Sequence, residues 1–435
     1  MTKTQMWQPE LETLSRDAVK ELQNERLRET AAHIFKNAPV QRAKLEAAGL
    51  KPEDIQTTDD LTRVPFTVKD DFRDSYPFGM FAVPGREIVR LQGTSGTTGK
   101  PTIAGYTRRD LAMWADLIAR LATAVGVTED DLAQVSFGYG LFTGGFGLHQ
   151  GMERIGATVL PMSSGNTERQ LMMMQDMGTT VLIATPSYAL YISELAAEMG
   201  VKENLKLRVG LFGGEGCTPE MRVKIEENLG IIATNNYGMC ELIGPGLSGE
   251  CMERDGLHIA EDHFFPEIID PDTGERLPYG EQGELVVTTL TKEGLPLLRY
   301  RTRDITYLYD KPCACGRTHI RMSPTRGCSD DMMIIRGVNV FPSQIESVLI
   351  GMKHIGPHYL LLVRREGAAD TLEVKVELTD ASVLERFSEL ERIQQRIKDK
   401  LRVVLGLNVK VSLVAPKTIE RFQGKAKRVV DLRTP

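Results

Sequence analysis

No apolar run in the sequence approaches the roughly 20 residues that a membrane-spanning helix needs, which argues against residence in a bilayer. The opening stretch MTKTQMWQPELETLSRDAVKEL has no apolar core between a basic start and a small-residue cleavage site, so it does not read as an export signal. Cysteine is scarce, six in 435 residues, too few for a disulfide scaffold; free thiols or a metal site in the reducing cytosol are the expectations, and the protein reads as cytoplasmic. Positive charge is not in excess either. A formal net charge of -6 offers no clustered field for phosphates, so nucleic acid is not an expected partner. Aromatic residues make up only 6% of the chain, which makes any local concentration of them informative. The remaining composition, 41% apolar and 26% charged, is that of a folded protein, and the length exceeds what one hydrophobic core supports, so two or more units are expected.

Residues 1 to about 60 carry helical periodicity, with Leu22, Leu27, Ala31, Ile34 and Phe35 near one face. From about 90 to 300, short β-rich runs (158-162, 180-186, 208-214, 231-238) alternate with helical stretches, the pattern of a largely parallel sheet covered on both faces. Segments 283-289 and 304-309 read as further strands. The chain then begins again as a small α+β lobe: MMIIRGVNVF as strand and turn, FPSQIESVLIGM as helix, HYLLLV and TLEVKVEL as strands, and LNVKVSLV as the last strand. Between the last two lies a long helix whose apolar face is Leu384, Phe387, Leu390, Ile393, Ile397, Leu401 and Val404. The fold class expected is α/β: a large N-terminal domain with mixed sheets and helices over 1-329, and a small α+β lobe over 330-435.

The sharpest local feature is Gly93-Thr94-Ser95-Gly96-Thr97-Thr98-Gly99-Lys100-Pro101. Glycines remove the Cβ atoms that would keep a backbone from phosphate oxygens, while Ser95, Thr97, Thr98 and Lys100 supply donors. The loop is not of the Walker type, because Gly99-Lys100 is one residue too far from Gly93 and Pro101 replaces the magnesium-binding hydroxyl. The alternative is a plain Gly/Thr turn.

This loop resembles the Ser-Gly-Thr-Thr-Gly-Lys-Pro signature of the adenylate-forming superfamily, and other signatures follow in order. Tyr237-Gly238-Met239-Cys240-Glu241 is similar to the Tyr-Gly-x-Thr/Ser-Glu motif, and Tyr300-Arg301-Thr302-Arg303-Asp304 to the ribose-gripping segment. Gly327-Cys328-Ser329-Asp330-Asp331 is similar to the interdomain hinge, and Gly424-Lys425 to the adenylation lysine. Within the superfamily the chain resembles the phenylacetate-CoA ligase family from end to end, most tellingly over 74-84, 138-170, 296-304 and 329-346.

The resemblance implies an ATP-dependent acid:CoA ligase that makes an acyl adenylate and then a thioester, releasing AMP and pyrophosphate. It implies Lys425 bridging carboxylate and α-phosphate, Glu241 holding Mg²⁺, Thr97, Thr98 and Lys100 holding the outgoing pyrophosphate, and Ser95, Gly96 and Gly99 as nucleotide-binding. Gly214, Glu215, Asn236, Tyr237, Gly238, Cys240 and Arg326 are implied to line the nucleotide, Asp304 to grip the ribose, and Asp330 to be the hinge. Taken singly, Glu241 also reads as a helix-start carboxylate, Asp304 as a turn residue and Lys425 as a solvated lysine. Two positions depart from the family pattern: Cys240 replaces a hydroxyl that meets the α-phosphate, and Cys328 replaces a nucleotide-contacting Arg, leaving Arg326 and Arg336 as nearby guanidiniums.

Phe137, Tyr139, Phe142 and Phe146, threaded with Gly144, are dense for this chain and suit stacking on an aryl acid; ordinary core packing is the alternative. Cys251, His258, Cys313 and Cys315 form a separate set whose thiolates and imidazole suit tetrahedral structural Zn²⁺, against unpaired buried thiols; His263 and His319 are alternative ligands. His149 reads as a core or pocket-wall histidine. Two rivals stay open: an adenylyltransferase of the same scaffold acting on a deazaflavin coenzyme, and a silent nucleotide-binding regulator. A homodimer is a further implication of the resemblance.

Overall fold

The computed structural model describes residues 6–94, 101–325, 333–335, 338–366, 369–421 and 428–433. The chain divides into two compact units, one of Met1–Ala184, Glu203–Gly214 and Ile231–Pro324, the other of Thr185–Lys202, Glu215–Gly230 and Thr325–Pro435. No described helix is long and apolar enough to cross a membrane.

The first unit is built on a nine-stranded mixed sheet. Thr158–Leu160, Leu132–Val135, Val181–Ala184, Val209–Phe212 and Ile232–Met239 run parallel, in that spatial order. Val181–Ala184 and Val209–Phe212 are continuous apolar runs buried at every position, as strands covered on both faces must be. The direction reverses after Ile232–Met239: Gly244–Glu250, Leu257–Ile259, Arg321–Met322 and Leu308–Tyr309 complete the sheet antiparallel. The alternating pattern therefore gives five parallel strands, and the reversal falls on the Tyr237–Glu241 motif.

Leu132–Val135 has its chain successor Thr158–Leu160 on one side and Val181–Ala184 on the other, so connections leave it in opposite directions. Open α/β sheets bind ligands in the crevice outside the carboxyl ends of the strands at such a point. By that rule the ligand side of the sheet is the end at which the aromatic stretch follows Val135. Helix Thr143–Ile155, which follows, lies close against helix Arg108–Ala124, because Gly147 and Gly151 present no side chain. A Cβ on Gly147 would fall 2.2 Å from the Trp114 ring and one on Gly151 2.0 Å from Ile118.

Helix Arg16–Asn37 starts at Ser15, whose side chain accepts from the Ala18 N–H, and it buries Leu27, Ala31 and Ile34 against Leu45, Ile55, Leu61 and Leu298. Leu22 and Phe35 are only partly buried. The short stretch before it is tied to distant chain: Arg317 Nε donates to buried Glu12 at 2.6 Å across 305 residues, and the Thr318 N–H donates to the Glu12 carbonyl at 3.1 Å. Phe264–Ile269, Gly283–Thr289 and Tyr300–Thr306 form an antiparallel three-stranded sheet that presents Asp304 near its end.

In the second unit a four-stranded sheet runs Lys410–Val414, Ala369–Leu378, Ile355–Glu366, Val429–Asp431. The last of these was not read from the sequence; three residues in a basic tail form a strand only because Ile355–Glu366 offers an edge, which they pair with in parallel. Helix Phe387–Leu405 buries Ile393, Ile397, Leu401 and Leu405, whereas Phe387 and Val404, expected on that face, are exposed and Leu384 precedes the helix in a 3-10 turn. Helices Pro186–Glu198 and Pro219–Leu229 belong to this unit, and His358 Nε2 lies 2.8 Å from Glu194.

Candidate active site

Three stretches far apart in sequence meet at the carboxyl edge of the parallel strands. Phe212 ends its strand and hands over to Gly213 and Gly214, Val135 leads into Ser136 and the aromatic stretch, and Ile232–Met239 runs past its parallel partner into Cys240 and Glu241. Gly144 and Gly214 abut the same two rings: added Cβ atoms would lie 2.8 Å and 3.4 Å from Phe142, and 3.1 Å and 3.6 Å from Phe137. Phe137 is buried in the main core, and Phe142 is about one-third exposed at the helix entry, its ring 6.0 Å from that of Phe137. Tyr139 packs edge-on against Phe146 at 5.2 Å and its hydroxyl lies 2.9 Å from His149 Nδ1. Burial pushes the Tyr139 phenol well above its ordinary range, so it stays protonated.

Asn236 Nδ2 donates to the Phe212 carbonyl at 2.9 Å, fixing the strand end beside the glycines. Tyr237 Oη donates to Asp304 Oδ2 at 2.6 Å, which joins the strand motif to the antiparallel sheet. At Gly238 a β-bulge turns the chain so tightly that a Cβ would sit 1.6 Å from the Gly244 carbonyl oxygen. No residue but glycine fits. Glu215 lies in the second unit, where its Oε1 accepts from the Ser187 N–H at 2.7 Å.

Glu241 is buried, and desolvation pushes its carboxyl above the ordinary value; its own backbone N–H, Lys69, the Tyr300 hydroxyl and Lys292 pull it back. A dication facing this group would keep it ionised. The Cys240 thiol is also buried and pushed up by desolvation, so it is a neutral thiol. Lys292 was not singled out from the sequence, since TKEG has no pattern that marks a buried cation. The residues Ser95, Gly96, Thr97, Thr98, Gly99, Lys100, Arg326, Cys328, Asp330, Arg336 and Lys425 lie outside the described residues.

At the far side of the nine-stranded sheet, Cys251, His258, Cys313 and Cys315 bring one donor atom each to within 4.8 Å of one another. Cys251 Sγ and Cys313 Sγ are 3.7 Å apart, and Cys315 Sγ is 3.5 Å from His258 Nε2. A tetrahedron of bonds about 2.3 Å to sulfur and 2.0 Å to nitrogen has edges of about 3.7 and 3.5 Å, and these two separations match those edges. His263 is held elsewhere, its Nδ1 2.7 Å from Thr291 Oγ1 and its Nε2 3.1 Å from Asp262.

Residues 12–291 match the AMP-binding enzyme family, and residues 337–433 match the AMP-binding enzyme C-terminal domain. The chain is 48% identical over 443 positions to the phenylacetate-coenzyme A ligase of Thermus thermophilus, with 98% of this chain and 100% of that one covered. It is 47% identical over 426 positions to the Escherichia coli phenylacetate-coenzyme A ligase, covering 97% of both. Among solved structures, a 2-hydroxyisobutyryl-CoA ligase in the postadenylation state with R3-HIB-AMP superposes at a TM-score of 0.91 and 32% identity, over 97% of this chain and 91% of that one. Near-complete coverage at this identity, on a site whose separated motifs converge in space, shows that the chain belongs to the phenylacetate-coenzyme A ligase family of AMP-binding enzymes.

Proposed function

We propose that the protein joins an arylacetic acid, phenylacetate first among them, to coenzyme A at the expense of ATP, through an acyl adenylate and with release of AMP and pyrophosphate. The observation that carries this reading is the meeting of Gly214, Phe137 and Phe142 with the Asn236–Glu241 segment and Asp304 at the sheet's switch point. Rings flanked by glycines suit a flat aryl group, and Asp304, held by Tyr237, suits the two ribose hydroxyls.

Adenylation brings a carboxylate against the α-phosphate, so like charges must be neutralised at the reacting centre. Glu241 would hold Mg²⁺, whose charge shields the phosphates. Lys425 would bridge carboxylate and α-phosphate, and Ser95 to Lys100 would receive the pyrophosphate with backbone N–H groups and hydroxyls. Arg326 would take a phosphate contact. The aryl ring would lie among Phe137, Tyr139, Phe142, Gly144 and Phe146. Asp330 would serve as the hinge between an adenylation domain over 1–329 and a lobe over 330–435, withdrawing Lys425 before the thiol of coenzyme A attacks. Zn²⁺ held by Cys251, His258, Cys313 and Cys315 would be structural, since four protein ligands leave no open position. Cytoplasmic residence and a homodimer complete the reading, the latter testable by light scattering.

The deciding experiment supplies ATP, Mg²⁺, coenzyme A and a panel of aryl acids and follows thioester by mass spectrometry. Phenylacetyl-CoA formation with equimolar AMP is expected. AMP transfer to an acceptor without coenzyme A would favour an adenylyltransferase instead, and ATP binding with no acid-dependent turnover would favour a silent regulator.

A further inference from the structure

Lys292 is almost fully buried, 3% exposed, and the adenylation chemistry above makes no use of it. Its Nζ donates to the carbonyl oxygen of Glu241 at 3.0 Å and stands 4.7 Å above the Tyr106 ring. Tyr106 stacks on Trp114, centroids 5.0 Å apart, and its hydroxyl donates to the Cys240 carbonyl at 3.0 Å. Trp114 Nε1 donates to the Pro245 carbonyl at 2.7 Å. Three side chains linked through the Tyr106 ring thus hold the carbonyls of residues 240, 241 and 245, on both flanks of the turn where the sheet reverses.

The origin of Lys292 is equally fixed. The buried Asp110 carboxylate accepts from the N–H groups of Glu293 at 2.7 Å, Gly294 at 2.9 Å and Thr107 at 2.9 Å, pinning the turn that carries the lysine to the start of helix Arg108–Ala124. A buried ammonium is costly unless it is well paired, and an apolar side chain of similar length would fill the same space without that cost. What the ammonium supplies that an apolar chain cannot is a directed hydrogen bond to the backbone of Glu241.

We infer that Lys292 is a positioning residue for adenylation, which with the Tyr106 hydroxyl clamps the backbone of the Cys240–Glu241 turn and so aims the Glu241 carboxylate. The inference rests on the assignment of Glu241 to the metal–triphosphate. A shift of about 1 Å in such a group costs on the order of 100-fold in rate, while leaving contacts to the ribose intact.

The test uses the full-length chain, K292M and Y106F, with acid-dependent pyrophosphate exchange, its Mg²⁺ dependence and AMP affinity measured for each. Both variants are expected to lose roughly 10- to 100-fold in the rate of exchange and to need about 10-fold more Mg²⁺ for half-saturation. AMP affinity should stay within about twofold, because Asp304 and Tyr237 are untouched. A folded K292M with native rate and Mg²⁺ dependence would overturn the assignment. So would parallel losses of exchange, AMP binding and thermal stability, which describe a core defect. If K292M does not fold, Y106F, which keeps its ring, decides by the same readouts. Native exchange in E241Q would instead sink the role of Glu241 itself, a result distinguishable because it does not depend on either variant.

Discussion

Tyr237 Oη donates to Asp304 Oδ2 across 2.6 Å, coupling the strand that carries the Tyr-Gly motif to the antiparallel sheet that carries the aspartate. The bond fixes one oxygen of the carboxylate beside the strand motif. Removing the phenol hydroxyl in Y237F should weaken AMP binding about 10-fold, the worth of a hydrogen bond to a charged group, and D304A should weaken it on the order of 100-fold. Calorimetric titration with AMP measures both, and equal affinity in all three proteins would remove Asp304 from the ribose.

Glu241 is buried within hydrogen-bond reach of Tyr300 and close enough to Lys292 to feel its charge, so its carboxamide analogue keeps the shape and loses the charge. E241Q should fold normally and form acyl adenylate at least about 100-fold more slowly. Single-turnover assay of aryl adenylate checks this.

A methyl group on Gly238 would collide with a backbone oxygen 1.6 Å away, an atom that no rotamer change can move. G238A is expected to destabilise the first unit by about 3 kcal/mol and to displace Tyr237 and Glu241 together. The urea midpoint should fall, and a midpoint unchanged from wild type would mean that the turn relaxes freely.

Burial lowers the Lys292 ammonium from 10.5 to about 8, with Asp110, Cys240 and Glu241 working against the shift. Between pH 8 and 10.5 the unfolded chain therefore holds a proton that the folded chain has released, and stability contributed at this site rises with pH; below pH 8 the penalty is constant. Wild type compared with K292M should gain up to about 3 kcal/mol of unfolding free energy over that interval. Urea unfolding at pH 7.5 and pH 10 reads the difference, and a falling difference would contradict the sign.

The cysteine and histidine cluster should hold one zinc ion per chain after purification without chelator. C315S should lose the metal and the local fold at Cys251 and His258, with a lower melting temperature, because binding free energy at such a site is folding free energy. Elemental analysis beside calorimetry tests this, and a metal-free protein of native stability would return the four side chains to the class of packed thiols.

Much of this site is legible in the sequence because backbone chemistry dictates it. Gly213–Gly214 follows a continuous apolar run, and Asn236, Tyr237 and Gly238 sit where a strand pattern ends, so pattern and motif agree. Lys292 is not legible: its meaning comes from the Glu241 carbonyl and the Tyr106 ring, which local spacing cannot report. Spacing alone does not fix the ends of the apolar face of helix Phe387–Leu405, where Phe387 and Val404 are exposed while Leu405 is buried. The reversal of the large sheet was hidden for a similar reason. Gly244–Glu250 is buried throughout despite its small and polar residues, since Leu117, Ile118 and Leu121 pack directly onto its glycines.

The Glu12–Arg317 pair carries a consequence for how the chain is made. Its partners are separated by 305 residues, so the first helices leave the ribosome long before the guanidinium that completes their anchorage exists. Until then Glu12 is a solvated carboxylate and the apolar face of Arg16–Asn37 lacks Leu298. Synthesis at ordinary elongation rates leaves that face waiting for tens of seconds, so the amino-terminal segment of a nascent chain is the place where chaperone contact should concentrate.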